Sequence, residues 1–210
     1  MTNHYFIRAG MCLIALLFAG QLTAAEDDAI GRIVAISGDA TVIHRDGSSK
    51  SLQRRSPLHA GDRIQTGPAT WLQVRFVDSA ILSLSCNSSL VIREYQHLDL
   101  NSDRSQLHLE SGRARTITGT IQRSNYRFTA GQLEIRPSGT DFEVLIDEKD
   151  NVYFGVYDGA IRIDSAQDNL LLGTDQPAQY ASFNAETGLA PLSLRPALFG
   201  NGVLGGVECP

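Results

Sequence analysis

The sequence predicts an all-β protein, either an irregular β-solenoid or a two-sheet β-sandwich built from consecutive hairpins. Three observations carry that expectation. Apolar residues recur at every second position in short runs such as Leu72, Val74 and Phe76, with Gln73 and Arg75 between them, the period of a half-buried strand. Glycine and turn-forming residues punctuate the chain too often for long amphipathic helices. A weak internal repeat, Ser37-Gly38-Asp39-Ala40, Asp78-Ser79-Ala80, Ser111-Gly112-Arg113-Ala114 and Asp158-Gly159-Ala160, places a turn before an alternating strand each time. Its spacing, from 38 to 79, 79 to 112 and 112 to 159, is too uneven for a strict solenoid.

The elements follow in order. Residues 1–25 read as a secretory signal peptide: Arg8 supplies a weak positive start, Met11 to Gly20 is apolar, and Thr23-Ala24-Ala25 offers small residues for cleavage before Glu26. The apolar run is shorter than the about 20 residues that a membrane span needs, so the mature form is expected not to span the membrane. Removal of this segment takes Arg8 and no acid, moving the net charge from −5 to −6 (17 basic against 23 acidic residues). That mild acidity argues against a nucleic-acid partner.

From Gly31 the pattern is β-like: Ile33, Val34 and Ile36, a turn at Ser37-Gly38-Asp39, a strand over Ala40 to Ile43, and a turn at Arg45-Asp46-Gly47-Ser48-Ser49, where Asp-Gly permits positive φ. Leu58 to Ile92 contains an Ala-Gly-Asp turn, a Thr-Gly-Pro turn and two alternating segments joined at Asp78-Ser79. Leu107 and Leu109 alternate before a turn at Glu110-Ser111-Gly112 leading into Arg113 to Ile117. Further pairs meet at Gly131-Gln132, at Asp147 to Asn151 and at Asp158-Gly159. The chain divides into an all-β domain over residues 26–183 and a Pro/Gly-rich tail over 184–210, with Gly188 to Pro210 expected to be poor in strands. After the signal peptide only Cys86 and Cys209 remain. An exported compartment would let them pair, while the parity of Cys86 with Leu82 and Leu84 equally suits a buried free thiol.

The order of these signals resembles the FecR domain family. Gly31-x-Ile33 with Gly38 and Val42 comes first, then Leu58-x-x-Gly61-Asp62-x-Ile64-x-Thr66-Gly67, Val74-x-Phe76-x-Asp78 and Ser88-x-Leu90-x-Ile92. Downstream, Leu109-Glu110-Ser111-Gly112-x-Ala114-Arg115, Pro137-x-Gly139-Thr140-Asp141-Phe142-x-Val144 and Tyr157-Asp158-Gly159-x-Ile161 continue the match, which covers about residues 31 to 183. The resemblance implies an exported, non-enzymatic binding and signalling module. In one branch of the family such a domain lies on the periplasmic side of a membrane-spanning regulator that controls a sigma factor. Only about ten residues precede the apolar segment here, and Asp78-Ser79 stands where the family usually has Asp-Gly, so a free-standing periplasmic protein is the closer expectation.

The residues themselves show no assembled catalytic set. His44, His59, His97 and His108 sit in no recognisable motif and show no metal-ligand spacing, so neither a metal nor a cofactor is expected. His108 lies on the polar parity of its strand and is expected in solvent. Asp147, Glu148 and Asp150 surround Lys149 and read as a charged hairpin tip. Asp141 and Glu143 alternate with Phe142 and Val144 and are expected to face water side by side. A basic bias over Arg113, Arg115, Arg123, Arg127 and Arg136 contains one acid, Glu134. Arg113 and Arg115 share a strand face and could offer guanidinium forks to a partner or an anion. Trp71 is the one tryptophan, a sugar platform or protein anchor if exposed and rim packing otherwise. The expected function is therefore a periplasmic protein-binding, signalling or scaffolding module whose partner is an envelope protein. The alternative is a module that binds a glycan or peptidoglycan through Arg113, Arg115 and Trp71.

Overall fold

The computed structural model describes residues 28–98 and 102–199. The expected signal peptide and Cys209 lie outside these residues. The strands before the middle of the chain are β1 (Gly31–Ser37), β2 (Ala40–Ile43), β3 (Ser49–Ser51), β4 (Pro57–Leu58), β5 (Arg63–Thr66), β6 (Trp71–Phe76), β7 (Ile81–Leu84) and β8 (Ser89–Gln96). A 14-residue strand, β9 (Arg104–Ile117), follows. Then come β10 (Tyr126–Ala130), β11 (Leu133–Pro137), β12 (Asp141–Ile146), β13 (Val152–Asp158), β14 (Ala160–Asp164), β15 (Asn169–Gly173), β16 (Tyr180–Asn184) and β17 (Gly188–Leu192). Among the described residues no helix is long and apolar enough to cross a membrane.

The strands form two sheets that share β9. Sheet A runs β4-β1-β6-β7-β9-β12-β13-β16-β17. Sheet B runs β3-β2-β5-β8-β9-β10-β11-β14-β15. After β9 the chain places one hairpin in each sheet by turns, which is why the sequence reads as consecutive hairpins. Alternating positions from both sheets fill one core that includes Ile33, Leu72, Leu82, Leu90, Leu107, Phe128, Phe142 and Ile163. Phe128 of sheet B meets Phe142 of sheet A edge-to-face at 5.5 Å. Phe76 and Tyr95 stack at 4.2 Å, again one from each sheet.

β9 corrects one local expectation. Glu110-Ser111-Gly112 is not a hairpin turn but the point where a continuous strand crosses from sheet B to sheet A. Core-facing positions are Ser105, Leu107 and Leu109 before it, then Ala114 and Thr116 after it, so the parity switches as the strand changes sheets. Gly112 permits the switch with φ +79, and a Cβ there would lie 2.6 Å from the Ser88 Cα. Ser88 pins the crossing, its Oγ accepting the Arg113 N–H at 2.9 Å. The four repeated turns share a backbone state: Gly38, Ser79, Gly112 and Gly159 have φ of +87, +72, +79 and +71. Three of them mark crossings between sheets, and Ser79 closes the β6–β7 hairpin in the conformation for which glycine is the cheaper residue.

The end of the described chain also departs from expectation. Gly188–Leu192 is a strand paired with β16, where a strand-poor tail was the reading. The segment after it folds back across the outer surface of sheet A and ends in a short 3-10 turn, Ala197–Phe199, with Phe199 fully buried. Composition hid this, because prolines and glycines mark β17 and its turns as readily as a loose tail.

Candidate functional site

The outward positions of sheet A line up across eight strands. In register they run Ala35, Gln73, Ser83, Arg115, Glu143, Gly155, Tyr180 and Leu192. A second row holds Trp71 on β6 and Arg113 on β9, and a third holds Arg75, Ile81 and Ile117. Trp71, Arg113 and Arg115 thus lie on one face, as Arg113 and Arg115 were read from their shared parity. Trp71 is half-buried, and Ile117 is 46% exposed.

One end of this face is a charge network closed among groups of this chain. Glu143 is fully buried, which corrects the expectation that it faces water. The reason is a second cover over β12: Arg113, Tyr157 and the C-terminal segment occupy the side that alternation alone assigns to solvent. Glu143 accepts from the Arg113 Nε–H and from the Tyr157 hydroxyl at 2.5 Å. Arg113 also donates through Nη2 to the Phe199 carbonyl at 2.7 Å. Arg195 donates to the Tyr157 hydroxyl at 3.2 Å and to the same carbonyl at 3.1 Å, closing the segment over the network as a strap. Burial and the neighbouring Glu143 carboxylate push the Tyr157 phenol up to about 12.

Asp141 is half-buried, and its two oxygens take the Arg115 Nε–H and Nη2–H, each at 2.7 Å. This bidentate pair raises the Arg115 pKa, and the guanidinium also stacks over the Tyr157 ring at 4.3 Å. The forks of Arg113 and Arg115 are therefore engaged by this chain's own carboxylates. The rest of the basic bias lies elsewhere. Arg127 and Arg136 project from the opposite surface, sheet B, around Glu134, and Arg136 also meets Asp164 of β14 at 3.5 Å. Arg123 sits on a short 3-10 turn before β10. A run continuous in sequence is thus divided over two surfaces, because each hairpin changes sheets.

The remaining sequence candidates are placed as follows. Asp147 closes its hairpin by accepting the Lys149 and Asn151 N–H groups, as a charged tip would. His108 is half-buried, not solvated: its Nδ1 lies 2.7 Å from Thr129 Oγ1, and burial lowers its pKa. Cys86 is buried and disulfide-bonded, and its expected partner Cys209 lies outside the described residues. Sequence spacing missed one convergence. His44, His59 and Asp62, 15 and 3 positions apart, bring ligand atoms within 4.8 Å of one another. The signal that would have found it is the antiparallel pairing of β2 with β5, which sets Ile43 opposite Arg63 and so carries the residues just outside both strands together.

Residues 62–162 match the family model described as FecR protein. The match is narrower than the 31–183 span of the sequence resemblance and covers its central motifs. Two crystal structures of a candidate anti-sigma factor from Parabacteroides distasonis are similar at 18% identity, with a TM-score of 0.49. The similarity covers 62% of this chain and 58% of that one, so the chain spans less than two thirds of that protein's length. A structure described as a cell surface anchoring domain aligns at 28% identity over 29% of this chain and 80% of that one, with a TM-score of 0.29. No curated protein matches the chain.

Proposed function

We propose, from the match of residues 62–162 to the FecR family model, that the chain is a non-enzymatic periplasmic protein that recognises another protein of the cell envelope, in signalling or as a scaffold. The mature chain starts at Glu26 after removal of residues 1–25. It comprises the all-β domain, 26–183, and the segment 184–210 whose first part straps sheet A, and a Cys86–Cys209 bond ties the end of that segment back to the domain.

The observation that carries the reading is the uncovered half of the outer face of sheet A. There Arg75, Ile81 and Ile117 form one row, Gln73, Ser83 and the paired Arg115 the next, and Trp71 lies in the row beyond. An aromatic residue, two isoleucines and arginines spread over one face are the composition of a protein-binding patch. The glycan alternative draws less support, since Arg113 and Arg115 are both committed to carboxylates of this chain. Affinity capture from envelope extract tests the reading: the wild-type chain should retain a protein that an Ile117→Asp variant of equal stability does not. Capture of no protein by either, with retention on purified peptidoglycan, would favour the glycan module instead.

A further inference from the structure

His44 closes β2, and the turn that binds it is fixed: its N–H donates to the Ser48 carbonyl at 2.8 Å, and its carbonyl accepts from Gly47 at 2.9 Å. Asp62 opens β5. It is 2% exposed, and its backbone is locked to β8 by the Ile92 N–H at 2.9 Å. One carboxylate oxygen lies 2.8 Å from His44 Nδ1. The other accepts the His59 N–H at 2.8 Å and faces His59 Nδ1 at 3.8 Å. Two imidazole nitrogens therefore face the two oxygens of one buried carboxylate. The backbones of all three residues are held by hydrogen bonds, and the His59 side chain, 40% exposed, has room to turn about its own bonds.

From this geometry we propose that His44, His59 and Asp62 bind one divalent transition-metal ion, zinc being the best match. Zinc takes imidazole and carboxylate donors at about 2.0–2.2 Å in a tetrahedron, which puts donors about 3.3 Å apart. The three donors lie within 4.8 Å, so a small rotation of His59 closes the set. Two nitrogens and one oxygen suit zinc, copper or nickel over calcium and magnesium, which require oxygen cages. The His44 Nδ1 proton now shared with Asp62 leaves for solvent on binding. His44 and His59 are 21% and 40% exposed, so water can take the fourth position. The ion serves as a clip joining the end of β2 to the turn before β5.

The test is calorimetric titration of the untagged full chain with zinc, with calcium as control, alongside melts with and without zinc. The expected result is one saturable zinc site, no calcium binding and a melting temperature that rises with zinc. His59→Gln changes an exposed side chain and should fold normally while weakening zinc binding by more than the ~10–100-fold that loss of an outer partner costs. His44→Gln should do the same. Absence of saturable zinc binding would overturn the proposal. So would binding that is unchanged in both variants, which would place the ion elsewhere, for instance at His97 and Asp103.

Discussion

The two outer surfaces of the sandwich carry the same pair of chemistries, arginine and carboxylate, in opposite environments. On sheet B, Arg127, Arg136 and Arg162 are about half exposed and share Glu134 and Asp164. On sheet A, Arg113 is 13% exposed against a Glu143 that is 1% exposed, with a strap closed over both. Exposed pairs gain little, since water screens the attraction and the long side chains lose freedom. A buried pair costs much to desolvate and so becomes a point where removal of either partner strands a charge. Sheet B's charges keep the surface wet, whereas sheet A's charges fix the strap and leave the adjoining Trp71–Ile117 region as the open half of the face.

The comparison can be broken most forcefully at Arg113. Arg113→Ala should cost about 3–5 kcal/mol in denaturant unfolding, because Glu143 is left buried and unpaired. The double variant Arg113→Met with Glu143→Leu should recover much of that loss. A cost under about 1 kcal/mol for Arg113→Ala would mean that the pair is solvated like those on sheet B.

Alkaline pH separates the surfaces next. Tyr157 titrates near 12 when folded, above the roughly 10 of an unfolded tyrosine. A raised folded pKa means that stability is intact below pH 10 and is lost as pH climbs through about 12. Tyr157→Phe should flatten part of that loss. The rest persists because burial also raises Tyr95 and Tyr126.

Phe199→Ala should cost about 2 kcal/mol or less in global unfolding, below the usual 3–5 for a core phenylalanine, because a terminal strap can detach without the sandwich opening. Hydrogen exchange should show the effect in residues 193–199 and in β13. At the small end, Arg136→Ala on sheet B should lie within about 0.5 kcal/mol of wild type.

Much of the fold was legible because strands announce themselves by period two and turns by their residues. The β6–β7 hairpin, the His44–Ser48 turn and the charged tip at Asp147 stand where the pattern put them. Alternation, however, separates only two sides of a strand and does not say whether the second side is covered later in the chain. Glu143 looked solvated for that reason, since its cover combines Arg113 and Tyr157 with a strap, Arg195 to Phe199, more than 50 positions downstream. Gly112 read as a turn because positive φ serves both to reverse a chain and to carry it between sheets. The His44–His59–Asp62 convergence depends on strand register, which single-residue periodicity does not contain.

The account rests on the open half of sheet A's outer face as the recognition surface. The most direct measurement is site-specific photo-crosslinking in intact cells, with the photoreactive residue at Ile117 on sheet A and, in parallel, at Arg136 on sheet B. A discrete adduct with an envelope protein from position 117 and none from position 136 is the predicted result. An adduct from position 136 alone, or none from either in a chain shown to be exported and folded, would contradict it.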